Sequence, residues 1–149
     1  MRFKKNSTTV LFWSSIAFAL FACGSVRADA GDLKLETQLI WGTNDAQSPN
    51  PKHKPVEMDV RKKLKDLPLK WNNYFEVNRK RFGVPLSGST KVPLSEKCSI
   101  EVKNLGKSMI EVTLAGNKRT QKLPKGETLV LAGNAPNATS WLVVLKRIE

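Results

Sequence analysis

The stretch Cys98 to Leu114, CSIEVKNLGKSMIEVTL, decides how the chain is read. Cys98, Ile100 and Val102 alternate with Ser99, Glu101 and Lys103; after Asn104-Leu105-Gly106-Lys107, Ile110, Val112 and Leu114 alternate with Glu111 and Thr113. A period of two sends one set of side chains to a buried face and the other to water. A short break holding Asn and Gly between two such runs marks a hairpin. The stretch therefore predicts a half-buried antiparallel pair. Cys98, in phase with Ile100 and Val102, is expected to be a small buried side chain.

Toward the C-terminus, Gly116-Asn117-Lys118 predicts a turn, and Arg119 to Leu123 a short edge strand stopped by Pro124. Lys125-Gly126 turns the chain into a buried strand over Glu127 to Ala132, and Gly133 to Thr139 reads as a loop. Trp141 to Ile148 is unbroken apolar sequence from Trp141 to Leu145, as a central, doubly covered strand requires. Toward the N-terminus, Leu33 to Trp41 alternates Leu33, Leu35, Thr37 and Leu39 with Lys34, Glu36 and Gln38, and reads as a core strand. Gly42 to Pro55 is dense in Asn, Asp, Ser and Pro and predicts a long loop. In Val56 to Leu67, Val56, Val60, Leu64 and Leu67 share one face at helical spacing and Arg61, Lys62 and Lys65 lie opposite, which predicts one amphipathic helix ended by Pro68. Trp71 to Val84 returns to strand character, and Pro85 to Pro93 is a turn-rich connection. Seven or eight short strands at regular spacing predict a mainly β chain: a small antiparallel β-sandwich with one short helix, in a single domain over residues 31–149.

The run from Cys98 to Leu131, with its Val102-x-Asn104-x-Gly106 hairpin and Pro124-Lys125-Gly126-Glu127 step, resembles bacterial immunoglobulin-like β-sandwich modules. The wider pattern also looks like a set of small exported bacterial proteins of unknown function: Leu39-Ile40-Trp41-Gly42-Thr43-Asn44, then Tyr74-Phe75-Glu76-Val77-Asn78-Arg79-Lys80, then Val102-Lys103-Asn104-Leu105-Gly106, and finally Trp141 with Val143-Val144-Leu145. The resemblance implies one domain and export, and it carries over no catalytic or binding residue.

Met1 to Ala30 has the form of an export signal. Arg2, Lys4 and Lys5 precede an apolar run, and Ala28-Asp29-Ala30 offers a cleavage site before Gly31. Leu20-Phe21-Ala22-Cys23 resembles a lipobox, so acylation of Cys23 and a lipid anchor are the alternative to soluble export into the periplasm or beyond. Membrane contact is expected only through the signal or a lipidated Cys23. The formal charge is +12; the first 30 residues account for +3, and the remaining 119 hold +9. Such an excess draws anionic surfaces, polymers and acidic partners by long-range attraction.

Candidate chemistry is sparse. His53 is the only histidine and stands in the loop segment Pro51-Lys52-His53-Lys54-Pro55. With one histidine and one cysteine beyond the signal, neither a zinc site nor a His-assisted nucleophile has its second member. No catalytic residue, metal or cofactor is expected. Glu101 and Glu111 could approach across the hairpin, with Lys103 beside them as in an ordinary cross-strand charge arrangement. Asn137-Ala138-Thr139 matches a glycosylation acceptor and reads as a polar loop. The candidate binding residues are Arg61, Lys62, Lys65, Arg79, Lys80 and Arg81, a cationic surface for an anionic envelope polymer or an acidic envelope protein. Trp41 and Trp71 are candidate contact aromatics. The Asn78-Arg79-Lys80-Arg81-Phe82 cluster mixes cations with an aromatic as single-stranded nucleic acid binders do, but an exported protein seldom meets such a partner. The expected role is a non-catalytic binding or structural module of the envelope; the alternative is an envelope enzyme, or an enzyme inhibitor using the 42–55 loop.

Overall fold

The two alternating runs form β5 (Ser99–Gly106) and β6 (Met109–Leu114), paired antiparallel with Ile100 opposite Leu114 and Val102 opposite Val112. Lys107 and Ser108, at φ 51° and 65°, make the turn, a left-handed pair whose twist suits a hairpin. The break expected at 104–107 thus falls later. Asn104 stays inside β5, fully buried, because its side chain replaces lost ladder bonds. Its Nδ2 donates to the carbonyls of Gly31 at 2.7 Å and Val84 at 3.2 Å, and its Oδ1 accepts from Gly106 N at 3.0 Å. A second left-handed pair, Ala115 and Gly116, leads into β7 (Asn117–Lys122). β4 (Ser89–Pro93) pairs with the other side of β5 and completes a four-stranded sheet in the order β4-β5-β6-β7.

The computed structural model describes residues 31–132 and 140–149. The expected export signal at 1–30, with Cys23, and the 133–139 loop with Asn137 lie outside the described residues. The second sheet holds β1 (Leu33–Thr43), β2 (Lys54–Pro55), β3 (Asn73–Val84), β8 (Thr128–Ala132) and β9 (Ser140–Arg147), in the order β2-β3-β1-β9-β8 with every neighbour antiparallel. The chain is therefore mainly β, a small antiparallel sandwich of two sheets with one short helix. Among the described residues nine strands stand where seven or eight were expected. The additions are β2, two residues inside the 42–55 loop, and β4, inside the 85–93 connection; of the five residues of β4, only Val92 and no other is buried, too little period for a pattern to register.

The helix α1 (Met58–Lys65) is shorter than the expected 56–67. Val56 is still in extended chain when it packs, and Asp66 already ends the helix. Val60 and Leu64 are the buried face, with Asp59 in the first turn and Lys62, Lys63 and Lys65 in the last, an order that suits the helix dipole.

Two cores result. Between the sheets, Leu33, Leu35, Leu39, Val143 and Leu145 meet Ile100, Val102, Ile110 and Val112. On the other face of the five-stranded sheet, Ile40, Tyr74, Leu142 and Val144 meet Val56, Val60 and Leu64. β1 feeds both cores, so the polar half of its alternation is buried as well: Glu36 is 5% exposed and Gln38 2%. Leu35, fully buried in the larger core, tests this arrangement. Leu35→Ala is expected to lower stability by about 3 kcal/mol, and Leu105→Ala, on the exposed outer face of β5, by no more than about 0.5 kcal/mol. Urea unfolding of the two variants measures both, and equal losses would contradict the assignment of faces.

Candidate functional site

A glutamate inside a sheet needs a cation beside it, and the backbone of β3 supplies one. Between Leu39 and Ile40 the register with β3 slips, Leu39 facing Asn78 and Ile40 facing Glu76, so Val77 is an extra residue. Such a bulge shifts the alternation by one. Tyr74 and Glu76 before it, and Arg79 and Arg81 after it, all lie on the helix side, although the spacing of Glu76 and Arg79 would put them on opposite faces of a regular strand. Arg79 then reaches three carboxylates. Its Nη2 is 2.6 Å from Glu76 Oε2 and 2.7 Å from Glu57 Oε1, and its Nη1 is 3.3 Å from Glu36 Oε1. Arg81 Nε donates to the other oxygen of Glu36 at 2.8 Å.

The electrostatics follow from these contacts. Burial pushes the Glu36 carboxyl upward, but hydrogen bonds from Arg81 and Gln38 and the charge of Arg79 outweigh it and hold the group below its usual value. The hydrogen bond to Glu76 leads the causes that raise Arg79, against the opposing effect of its own burial, so this guanidinium is permanently charged. Asp59 is likewise held low: burial would raise it, and the Val60 backbone N–H and Lys146 Nζ, 3.3 Å away, prevail. Both acidic residues at the start of α1, Glu57 and Asp59, are thus paired with cations of the sheet while remaining exposed.

The six expected cations do not form one surface. Arg61, Lys62 and Lys65 are exposed on α1, together with Lys63, which the sequence reading did not single out. Among the described residues no carboxylate pairs with any of these four. Arg79 is enclosed in the carboxylate cluster. Arg81 shares that side of the sheet, with Glu36 as its partner. Lys80, in phase with Phe82 and Val84, lies on the opposite face of β3. Glu101 stands opposite Thr113, whereas Glu111 faces Lys103 and approaches Lys118 at 3.6 Å, an ordinary cross-strand charge arrangement. Among the described residues no group of three or more His, Cys, Asp or Glu side chains has the geometry to hold a metal ion.

The aromatic candidates separate too. Trp71 packs with the helix-side core and lies against Gly42, where an added Cβ would come within 3.2 Å of its ring. Trp41 is in register with Phe75 on β3 and with Trp141 on β9, all three on the sandwich-facing side, Trp41 and Phe75 half-buried. The Trp41 and Phe75 rings are 6.4 Å apart, and His53 stands edge-on to Trp41 at 6.0 Å. His53 is not the exposed loop residue expected: it is half-buried, with Nδ1 held 2.7 Å from Ser48 Oγ. Trp141 was read as the start of a covered strand, but is 48% exposed. It borders a groove of about 650 Å³ together with Val143, Leu114, Ala115, Cys98 and Lys97. Cys98 is half-buried on that groove rather than enclosed in the core, and burial raises its thiol. The signal that could have found this row is the strand register, which no local pattern encodes.

Comparison with protein-family models, with curated proteins and with solved structures gives no match.

Arg79→Ala removes the cation that Glu36 and Glu76 share and is expected to cost about 3 kcal/mol at neutral pH. Depressed carboxyls such as Glu36 and Asp59 stabilise the wild type above the ordinary carboxylate range, about pH 4 to 5, and that contribution is lost as pH falls through their lowered values. In the variant the burial of Glu36 is less opposed, so its protonation comes earlier and relieves the fold. The gap between variant and wild type should therefore narrow from pH 7 toward pH 4. Urea midpoints at the two pH values measure it, and a constant gap would exclude the linkage.

Proposed function

We propose that the protein is an exported, non-catalytic binding or structural module of the bacterial cell envelope, which contacts an anionic polymer or an acidic protein through its basic surface. The observation that carries this reading is the division of charge on α1. Glu57 and Asp59 are spent on Arg79 and Lys146, while Arg61, Lys62, Lys63 and Lys65 stay exposed without a carboxylate partner among the described residues. Four cations on eight residues form a compact positive surface whose reach in physiological salt is about 8 Å. The net +9 of the 119 residues after the first 30 adds attraction at longer range. Export by the leader at 1–30, into the periplasm or beyond or with a lipid on Cys23 as an anchor to the envelope, is part of the proposal.

A second reading, an inhibitor of an envelope enzyme using the 42–55 loop, draws on the bracing of that loop. Asn50 O accepts from His53 N at 3.0 Å and Ser48 meets His53, while Asn44 and Asp45 are bonded to Asn72 and Asn73. A loop held this way loses little freedom on docking. The two readings part under salt. With the purified protein immobilised and exposed to envelope extract, the cationic reading expects release at moderate salt. It also expects a loss of about tenfold or more in affinity when Arg61, Lys62, Lys63 and Lys65 are all changed to Gln. A discrete protein retained through high salt and indifferent to those substitutions would overturn it in favour of the loop.

A further inference from the structure

The row Phe75, Trp41 and Trp141 places one aromatic ring on each of three adjacent strands, on one face, with Trp141 bordered by the end of the opposing sheet at Cys98, Leu114 and Ala115. Two residues further along, Val143 and Leu39 are buried in the sandwich core, whereas Trp141 is half open to water and Trp41 and Phe75 are half-buried. Polar groups stand beside the rings: Ser48 and His53 next to Trp41, and Ser95, Glu96 and Lys97 on the groove that Trp141 borders. Flat apolar faces with hydrogen-bonding groups at their edges match a pyranose ring, which has an apolar C–H face and a rim of hydroxyls; aromatic faces attract such C–H groups through their negative quadrupole. The charge around the row selects among sugars. Lys97 on the groove and Lys52, adjoining His53 in the chain, are exposed and have no carboxylate partner among the described residues. Glu96 is the one carboxylate on the groove.

We infer that this row is a stacking platform for an acidic polysaccharide, a chain of uronic-acid-type sugars whose rings lie on Trp141 and Trp41 and whose carboxylates meet Lys97 and Lys52. The inference rests on the anionic-polymer reading and gives that polymer a chemical class. A simple polyanion has charge but no ring to stack, and a neutral glycan has rings but no charge, so the platform and the helix cations answer to different probes.

The test titrates the purified protein with three uronate polymers (polygalacturonate, alginate and hyaluronan), a neutral glucan, polyphosphate and a thymidine oligonucleotide at fixed low salt. Trp141→Ala is expected to weaken uronate binding about tenfold, the size of one lost stacking contact. It should leave polyphosphate binding within about twofold, with Trp141→Phe restoring part of the loss. Changing the four α1 cations to Gln should weaken uronate and polyphosphate together. Uronate binding that survives both Trp141→Ala and Trp41→Phe, while the α1 variant weakens every polyanion, overturns the platform and leaves the cationic reading standing. An equal loss of polyphosphate and uronate in Trp141→Ala also overturns it, as does Trp141-dependent binding of the oligonucleotide in place of the uronates. No binding of any polyanion by the wild type overturns both readings.

Discussion

A single guanidinium makes the rest of the molecule possible. The five-stranded sheet has β1 at its centre, covered by the second sheet on one face and by α1 on the other, and this strand carries Glu36 inside. A carboxylate withdrawn from water is costly unless a cation and hydrogen bonds replace its hydration. Arg79 and Arg81 replace it, and the bulge at Val77 is what brings Glu76 and Arg79 to the same face as Glu36. The bulge, the two arginines and Glu36 act together as one device; losing Arg79 leaves the buried Glu36 with Arg81 alone and takes from Glu76 its ion-pair partner among the described residues. Because Arg79 also holds Glu57, the same device fixes where α1 begins.

The charge distribution on the surface follows from that interior device. A helix with acids in its first turn and lysines in its last is favourable along its own dipole. Here those acids are also paired with the sheet, Glu57 with Arg79 and Asp59 with Lys146, so Arg61, Lys62, Lys63 and Lys65 are the charges on the exposed side of α1 with no ion-pair partner among the described residues. Among the described residues, six of the twelve acidic residues after residue 30 are engaged in ion pairs with cationic side chains. The sequence-level excess of positive charge therefore understates the asymmetry at α1, where internal pairing has sorted the charges by location.

Much of the architecture was legible because burial writes itself as period. The β5–β6 hairpin, the buried run of β9 and Val56, Val60 and Leu64 of the expected helix stripe each follow from side chains that must leave water; Leu67, the fourth member of that stripe, lies past the end of α1 and is exposed. What was not legible is of another kind. Asn104 looked like a turn residue, since Asn is common in turns, yet three hydrogen bonds hold it inside a strand. β4 exposes four of its five residues to different degrees and so has no phase to read. The basic cluster Arg79-Lys80-Arg81 looked like one patch because its residues adjoin in sequence; strand alternation sends Lys80 to the opposite face, and carboxylates from three separate segments, the buried Glu36 among them, claim Arg79. Charge composition survives the passage from sequence to structure, but charge availability depends on partners far away in the chain.

The aromatic row illustrates the same limit through length. β1 and β3 run for 11 and 12 residues, whereas β6 and β7 have 6 each, a difference of about 17–20 Å at the rise of an extended chain. Two sheets of unequal length cannot cover each other fully, so the longer one must present part of its inner face to water. An aliphatic side chain there would lose the burial it has two residues away. An indole or phenyl ring lies flat, shields the backbone beneath it and, in Trp, keeps an N–H for water or a ligand. Phe75, Trp41 and Trp141 occupy that overhang, and in β1 and β9 the inward aliphatic positions next to them, Leu39 and Val143, are core. The pattern that marks these strands as buried is the reason the exposed end was hidden in the sequence, because a Trp closing an apolar run looks the same whether or not the opposing sheet extends far enough to cover it.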